Sequence, residues 1–227
     1  MKKFTTVFLA AVLACWAVLG QDFTPTTTWP YVYSEFTTGE VATPDGSTKA
    51  GLYNVCLSNG KLHFIDGDMV KESTMVDVYS ISIGKDVYVN VGGKVYRVLS
   101  KSDASLVVEG IEIDYARLNS TGGAYGSSGN TLSTQALSSL EGIGGSRTNM
   151  NHMELRSSKE NGKDLSLITR KFLVYNMTLV PATKKDVVAK ASDDGYKDDV
   201  NAFIKENSIK WNQPASLQVL ADYMSSK

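Results

Sequence analysis

Tight turns between short apolar runs restrict the fold of this chain more than any other feature of its sequence. Glycine supplies the positive φ that tight hairpin turns require, and glycine-containing turns lie at residues 44–46, 59–60, 84–86 and 92–93. The runs beside them are rich in residues that favour strands. They lie at 29–36, 40–43, 50–57, 62–65, 76–83, 87–91, 95–99 and 106–113. Parallel strands need connections of about a dozen residues or more, so this spacing predicts an antiparallel meander.

The C-terminal part of the chain has helical periodicity instead. Two apolar stripes with helical spacing occur there. The first consists of Tyr196, Val200, Phe203 and Ile204, and the second of Leu217, Leu220, Ala221 and Met224. The pattern predicts helices at 183–191, 196–207 and 214–225, preceded by a hairpin at 172–180. Because short helices are marginal alone in water, we expect both stripes to pack on the strands, with Phe203 buried.

These patterns predict an α+β protein that is mainly β. The strands should form an antiparallel meander, either an open barrel or a sandwich-like sheet, followed by a C-terminal group of short helices. We expect a single β-rich domain over 21–227 with a helical tail at 183–227. Residues 119–147 contain seven Gly and seven Ser, a composition typical of flexible segments, so this stretch is predicted to be a mobile loop.

The first twenty residues have the features of a secretory signal. Lysines precede an apolar run at 4–19, and Gly20 follows it; this order of charge, apolar run and small residue is typical of export signals. The run is shorter than the roughly 20 residues that a membrane-spanning helix needs. The sequence therefore predicts a signal peptide at 1–20, a periplasmic or extracellular protein, and no transmembrane segment.

The two cysteines bear on anchoring and on disulfides. The sequence V-L-A-C at 12–15 loosely resembles a lipoprotein processing site that ends at Cys15. Apolar residues follow it where lipoproteins have a polar tether, so a lipid anchor at Cys15 is not expected. With Cys15 removed, Cys56 is the only cysteine, and the mature chain must be held together by its core without an internal disulfide.

Charge and missing motifs exclude several classes of function. Lys and Arg number 23 against 24 Asp and Glu, for a net charge of −1, so the chain lacks the basic excess of proteins that bind nucleic acids through phosphates. Two histidines and two cysteines do not form a spaced zinc motif. The sequence has no Gly-x-Ser-x-Gly motif and no P-loop. We therefore predict a protein that is not an enzyme, with no cofactor, metal or nucleic-acid partner.

Trp29, Tyr31 and Tyr33 are the candidate ligand-binding residues. They alternate along the run at 29–36, so in a strand their side chains would share one face. Such a face can stack on a sugar ring or a peptide. It can equally belong to the core, since aromatic residues supply much of ordinary burial.

Several motifs resemble the sequences of a group of secreted Bacteroidetes proteins. The N-terminal motifs are W-P-Y-V-Y-S-E-F at 29–36 and G-E-V at 39–41. The C-terminal motifs are K-F-L-V-Y at 171–175, A-T-K-K-D-V at 182–187, F-I-K-E-N at 203–207 and I-K-W at 209–211. The resemblance implies an exported protein with a β-rich body followed by helices, and it carries no catalytic residue over to this chain.

Two functions are compatible with these observations. The first is an exported, non-enzymatic protein that binds a ligand or a partner in the cell envelope, where the partner is an envelope protein, a peptide or a glycan. The alternative is a hydrolase of unrecognised type in which scattered carboxylates such as Glu109 and Glu112 perform acid/base chemistry. Two residues three apart in a strand point to opposite faces, so the first interpretation is preferred.

Overall fold

The computed structural model describes residues 30–114 and 166–227, together with 150, 151 and 153. The strands are β1 Thr37–Ala42, β2 Thr48–Val55, β3 Leu62–Asp66, β4 Met69–Glu72, β5 Ser80–Ile83, β6 Asp86–Val91, β7 Lys94–Lys101, β8 Ser105–Ile113, β9 Met150–Asn151, β10 Leu167–Tyr175 and β11 Thr178–Pro181. They form one sheet in the order β11-β10-β8-β7-β6-β5-β1-β2-β3-β4-β9. Two meanders, β1–β4 and β5–β8, join through antiparallel pairing of β1 with β5. The predicted mainly β, antiparallel fold is confirmed.

The sheet curls into a half-barrel, which brings distant strands together. The backbone N–H of Val95 in β7 donates to the carbonyl oxygen of Gly60 over 2.8 Å, so the turn between β2 and β3 reaches β7. The face of the sheet inside the curl, here called the inner face, carries a large apolar cluster. Its buried members include Val41, Tyr53, Val55, Leu62, Ile81, Ile83, Tyr88, Val95 and Ile113.

Three helices follow the sheet at the predicted positions. They are α1 Lys184–Asp193, α2 Lys197–Glu206 and α3 Pro214–Ser225. The Thr183 hydroxyl accepts a hydrogen bond from the backbone N–H of Asp186 and so caps α1. Pro214 occupies the first turn of α3, where its missing N–H removes no helical hydrogen bond.

The helices pack on the inner face at the end of the sheet formed by β7, β8 and β10. A cluster of buried residues joins the two layers: Val107, Leu173, Tyr175 and Val180 from the strands, and Val187, Val200, Leu217, Leu220 and Met224 from the helices. The carboxylate of Asp222 also accepts hydrogen bonds from the hydroxyls of Ser102 and Ser105 at the turn between β7 and β8. Apolar burial and partly buried hydrogen bonds therefore hold α3 to the sheet.

The expected burial of Phe203 is wrong in detail. Phe203 is only partly buried, and its ring stacks on that of Tyr223 with the ring centroids 3.9 Å apart. Val200 and Ile204 are the buried residues of α2. Phe203 thus lies on the flank of α2 that faces α3, and not on the side that faces the sheet.

The aromatic run at 29–36 does not form a strand, contrary to the sequence analysis. Within its described part, Tyr31 makes an isolated bridge with Cys56, and bends follow. The side-chain amide of Asn54 donates to the carbonyl oxygens of Tyr33 and Glu35, and its oxygen accepts from the N–H of Tyr33. Asn54 thereby satisfies backbone groups that a sheet ladder would otherwise have to pair.

Two other strand predictions need correction. The run at 76–83 divides into a 3-10 turn at Met75–Asp77 and strand β5, because the amide of Asn90 donates to the carbonyl oxygens of Met75 and Val78 and holds the turn. Strand β4 was not predicted. It has only four residues, of which Val70 alone is buried, so it lacks a recognisable alternation.

Some predictions lie outside the described residues. These are the signal peptide at 1–20, the lipid anchor at Cys15, the position of Trp29 and the mobile loop at 119–147. Within the part of the chain that the structure describes, no helix is both long and apolar enough to cross a membrane.

The turn between β10 and β11 contains a strained residue that substitution should relieve. Asn176 and Met177 both have positive φ, at 46° and 58°, and the Met177 side chain is 86 % exposed. Left-handed backbone costs a non-glycine residue about 1–2 kcal/mol, and Met177→Gly removes this cost. The glycine also increases the conformational entropy of the unfolded chain, which opposes the gain by a smaller amount. We expect Met177→Gly to raise the free energy of unfolding by about 0.5–1 kcal/mol in urea denaturation. Met177→Ala should leave it nearly unchanged, and a destabilised glycine variant would contradict the argument.

Candidate functional site

Strands β7 and β8 pair at one end and separate at the other. Their ladder runs from the Lys101–Leu106 pair to the Arg97–Glu109 pair. Beyond that pair, β7 remains bonded to β6 as far as Lys94, and β8 remains bonded to β10 as far as Ile113. The separation opens a cleft in the sheet next to the Arg97–Glu109 pair.

The cleft has mostly apolar and aromatic walls. It is lined by Val32, Val55, Tyr88, Val95, Tyr96 and Ile111, with Gly60, Gly110, Lys94, Glu109 and Glu112. Lys94 and Glu112 form an ion pair of 3.6 Å whose side chains are both substantially exposed. A Cβ atom at Gly110 would come within 3.1 Å of the Tyr96 ring, so glycine at this position allows the ring to lie against the strand.

A cluster of three charged side chains lies at the closed end of the cleft. Arg97 donates to Glu109 from Nη2 over 2.6 Å and from Nε over 3.2 Å. Its Nη1 atom lies 3.5 Å from Oδ1 of Asp86. All three side chains are largely buried, and the cluster combines two carboxylates with one guanidinium.

Glu109 presents an oxygen that these contacts leave available. Both hydrogen bonds from Arg97 end on the Oε2 atom. Among the residues that the structure describes, none donates to Oε1 of Glu109, although the side chain is only 10 % exposed. Since Glu109 lines the cleft, a molecule in the cleft has an acceptor within the wall that is fixed in place by Arg97.

Two tyrosines extend the charged cluster. The hydroxyl of Tyr33 donates to Oδ2 of Asp86 over 2.8 Å and lies 2.7 Å from the hydroxyl of Tyr88. Burial raises the pKa of Tyr33 far above its usual value, and the neighbouring Tyr88 and the Asp86 carboxylate add to the effect. Burial also raises the pKa of Tyr88. Both residues therefore remain phenols and supply hydrogen-bond donors beside the carboxylates.

Tyr31 enters a separate polar network. Its hydroxyl lies 2.8 Å from Nδ1 of His63, and Nε2 of His63 lies 3.5 Å from the Glu72 carboxylate. Lys61 is paired with the same carboxylate over 2.6 Å. The ring proton of neutral His63 belongs on Nε2, because a lone pair there would face the negative Glu72. Nδ1 then accepts from Tyr31. Both rings are buried, so we interpret this network as stabilising the fold.

The tyrosines that the sequence analysis placed on one face are thus separated by the structure. Tyr31 packs with Phe36 and Cys56, whereas Tyr33 packs against the apolar cluster that contains Tyr53 and Tyr88, and its hydroxyl contacts that of Tyr88 at the cleft. The expectation of a shared face is wrong because the segment is not a strand. Ligand binding by Trp29, Tyr31 and Tyr33 stays a prediction, and Trp29 lies outside the described residues.

The carboxylates of the hydrolase alternative have different partners. Glu109 is held by Arg97, whereas Glu112 lies 3.6 Å from Lys94 and 3.8 Å from Arg170. Over residues 30–114 and 166–227, His, Cys, Asp and Glu side chains form no group of three or more that could hold a metal ion.

Sequence reasoning missed Asp86, Tyr88 and Arg97 as site residues. A signal for Arg97 was present in the strand alternation: Val95, Arg97 and Leu99 occupy alternate positions, and so do Val107, Glu109 and Ile111. A charged residue at an inward position of two consecutive strands indicates a buried ion pair, because unpaired charges are seldom buried.

Comparison with known proteins adds no functional assignment. No family model, no curated protein and no solved structure matches this chain. The resemblance to secreted Bacteroidetes proteins stays a prediction, and function has to be argued from the site.

The buried His63 predicts a pH dependence of stability. Its pKa is lowered because burial disfavours the charged ring, an effect larger than the opposing attraction of Glu72. The unfolded chain, with a histidine pKa near 6.5, therefore takes up the proton first as the pH falls. The stabilising contribution is present above about pH 6.5 and is lost as the pH falls through the lower, folded-state pKa. We expect the free energy of unfolding to fall between pH 7.5 and 5.5, and to fall less in His63→Gln; equal falls would contradict this assignment.

Proposed function

We propose that the protein is an exported, non-enzymatic binding protein that holds the polar end of a small ligand in the cleft between β7 and β8. The observation that supports this most directly is the largely buried carboxylate of Glu109, which lines the cleft and whose Oε1 accepts no hydrogen bond from the described residues. Export is proposed from the charged and apolar residues of 1–20.

The composition of the cleft supports a binding role. Ligand sites are concave and mainly apolar, with a few polar groups that fix the orientation of the ligand. Val32, Val55 and Ile111 offer apolar contact, and Glu109 offers an acceptor beside them. Because Arg97 already holds this carboxylate in place, a ligand would not have to order it, which favours affinity.

The position of His63 supports a non-enzymatic role. Histidine is the commonest residue for proton transfer near neutral pH, but His63 is 6 % exposed and belongs to the network of Tyr31 and Glu72, away from the cleft lining. Among the residues that the structure describes, Glu109 therefore has no imidazole partner at the cleft, which favours binding through a fixed acceptor.

Binding can be tested with a small neutral probe. We expect butanamide, which has an N–H donor on a short apolar stem, to shift the backbone amide resonances of Val95, Gly110 and Ile111 in the isotope-labelled full chain. Val95→Phe fills the cleft and should abolish these shifts, whereas Val219→Phe adds the same ring on an exposed position of α3 and should preserve them. Shifts scattered over the surface, or unchanged in Val95→Phe, would contradict the proposal.

A further inference from the structure

We propose, on the basis of the binding role argued above, that the ligand of the cleft carries a protonated amine that binds at Oε1 of Glu109. The inference concerns the chemical class of the ligand and rests on the charge balance, the available acceptor and the cleft walls.

The charge balance of the cleft favours a cation. Asp86 and Glu109 are the carboxylates of the buried cluster, and Arg97 is the cation that contacts both. At the mouth, Glu112 lies near two cations, Lys94 and Arg170, and because all three side chains are substantially exposed, solvent screens their charges. One negative charge of the buried cluster is therefore left over, and a buried charge without a counterion is costly. An ammonium group would supply the missing charge, whereas a carboxylate would add a third negative group beside two.

The available acceptor fits an ammonium group. Oε1 of Glu109 receives no hydrogen bond within the described part of the chain, while Oε2 receives two from Arg97. A charged donor forms a shorter and stronger hydrogen bond with a carboxylate than a neutral donor does. The rings of Tyr88 and Tyr96 also line the cleft, and aromatic faces attract cations.

The size of the cleft limits what can enter it. Its volume is about 20 Å³, room for a group not much larger than a water molecule, and an ammonium head satisfies this limit. Val32, Val55 and Ile111 give the cleft apolar walls, which suit the alkyl carbons attached to that head. Two sources have this chemistry, namely a free alkylamine and a lysine side chain of a peptide.

Three matched probes test the inference on the full chain. We compare n-butylammonium, butanamide and butanoate at constant ionic strength, following the amide resonances of Val95, Gly110 and Ile111. We expect n-butylammonium to bind about tenfold or more tightly than butanamide, and butanoate to give no localised shifts. Glu109→Gln should weaken the binding of n-butylammonium about tenfold. It should change the affinity for butanamide by less than about twofold.

The outcomes separate this inference from the proposed function. Equal affinities for n-butylammonium and butanamide would overturn the amine inference and leave the binding role intact. Absence of localised shifts with every probe would overturn both. The comparison of probes on the unmodified chain decides the question even if Glu109→Gln fails to fold.

An additional experiment with peptides distinguishes a lysine side chain from a free alkylamine as the source of the amine. Acetyl-Gly-Lys-Gly-amide is compared with the norleucine peptide, which keeps the stem and lacks the charge. If the lysine peptide binds as tightly as n-butylammonium, a lysine side chain is supported as the ligand. If it does not bind while n-butylammonium does, a free alkylamine is supported.

Discussion

Replacement of Arg97 by methionine is expected to lower the free energy of unfolding by about 3–5 kcal/mol. Methionine keeps much of the apolar volume of the stem but removes the guanidinium that contacts Glu109 over 2.6 Å and Asp86 over 3.5 Å. Two carboxylates then remain buried without a counterion. The loss would be measured by urea denaturation followed by circular dichroism.

Two further variants show whether the loss arises from the charge cluster. Arg170→Met removes an exposed arginine whose side chain is 59 % exposed and lies 3.8 Å from Glu112, so its effect should be below about 1 kcal/mol. Adding Glu109→Leu to Arg97→Met removes one stranded carboxylate and should restore a substantial part of the lost stability. If Arg97→Met is as stable as Arg170→Met, the buried pair contributes little and the account of the cluster is wrong.

Replacement of Leu220 by alanine is expected to cost about 3–4 kcal/mol. Leu220 lies in α3 and is fully enclosed between the helices and the sheet. Truncation leaves a cavity that the surrounding side chains can fill only in part. The measurement is the free energy of unfolding in urea.

The neighbouring residue of the same helix provides the control. Val219 precedes Leu220 directly but is 48 % exposed, so Val219→Ala should change the free energy of unfolding by less than about 0.5 kcal/mol. Similar small effects at both positions would mean that α3 is detachable from the sheet. That result would favour a tail whose apolar stripe binds a partner.

Local sequence signals were sufficient to predict much of the fold. Glycines at turns such as Gly60, Gly84 and Gly92 have positive φ in the structure, as the hairpin interpretation requires. The helices were equally predictable, because the spacing of their apolar stripes is a property of residues close together in the sequence. Phe203 shows the limit: its position in the stripe is right, but only the packing of α2 beside α3 decides that it faces Tyr223.

The site was less predictable because it depends on residues far apart in the chain. The amide of Asn54 prevents the aromatic run from forming a strand by bonding to Tyr33, 21 positions away. Tyr33 in turn meets Asp86 and Tyr88, which are more than 50 positions away. No local periodicity encodes these contacts. The charged residues on the inner face of β7 and β8 were the one available sign, and recognising it requires knowing which positions face inward.

The bonds between Asp222 and the turn at Ser102 and Ser105 have a consequence for the order of folding. They join residues 120 and 117 positions apart, so α3 follows β7 and β8 at a long distance in the chain. A ribosome therefore releases the strands β7 and β8 long before the helix that covers them exists. Native structure at this end of the sheet has to form after α3 has been synthesised, and until then Val107 and Leu173 lack the helical part of their packing. Long-range closure of this kind slows folding and leaves apolar strands open to aggregation or to chaperones in the interval.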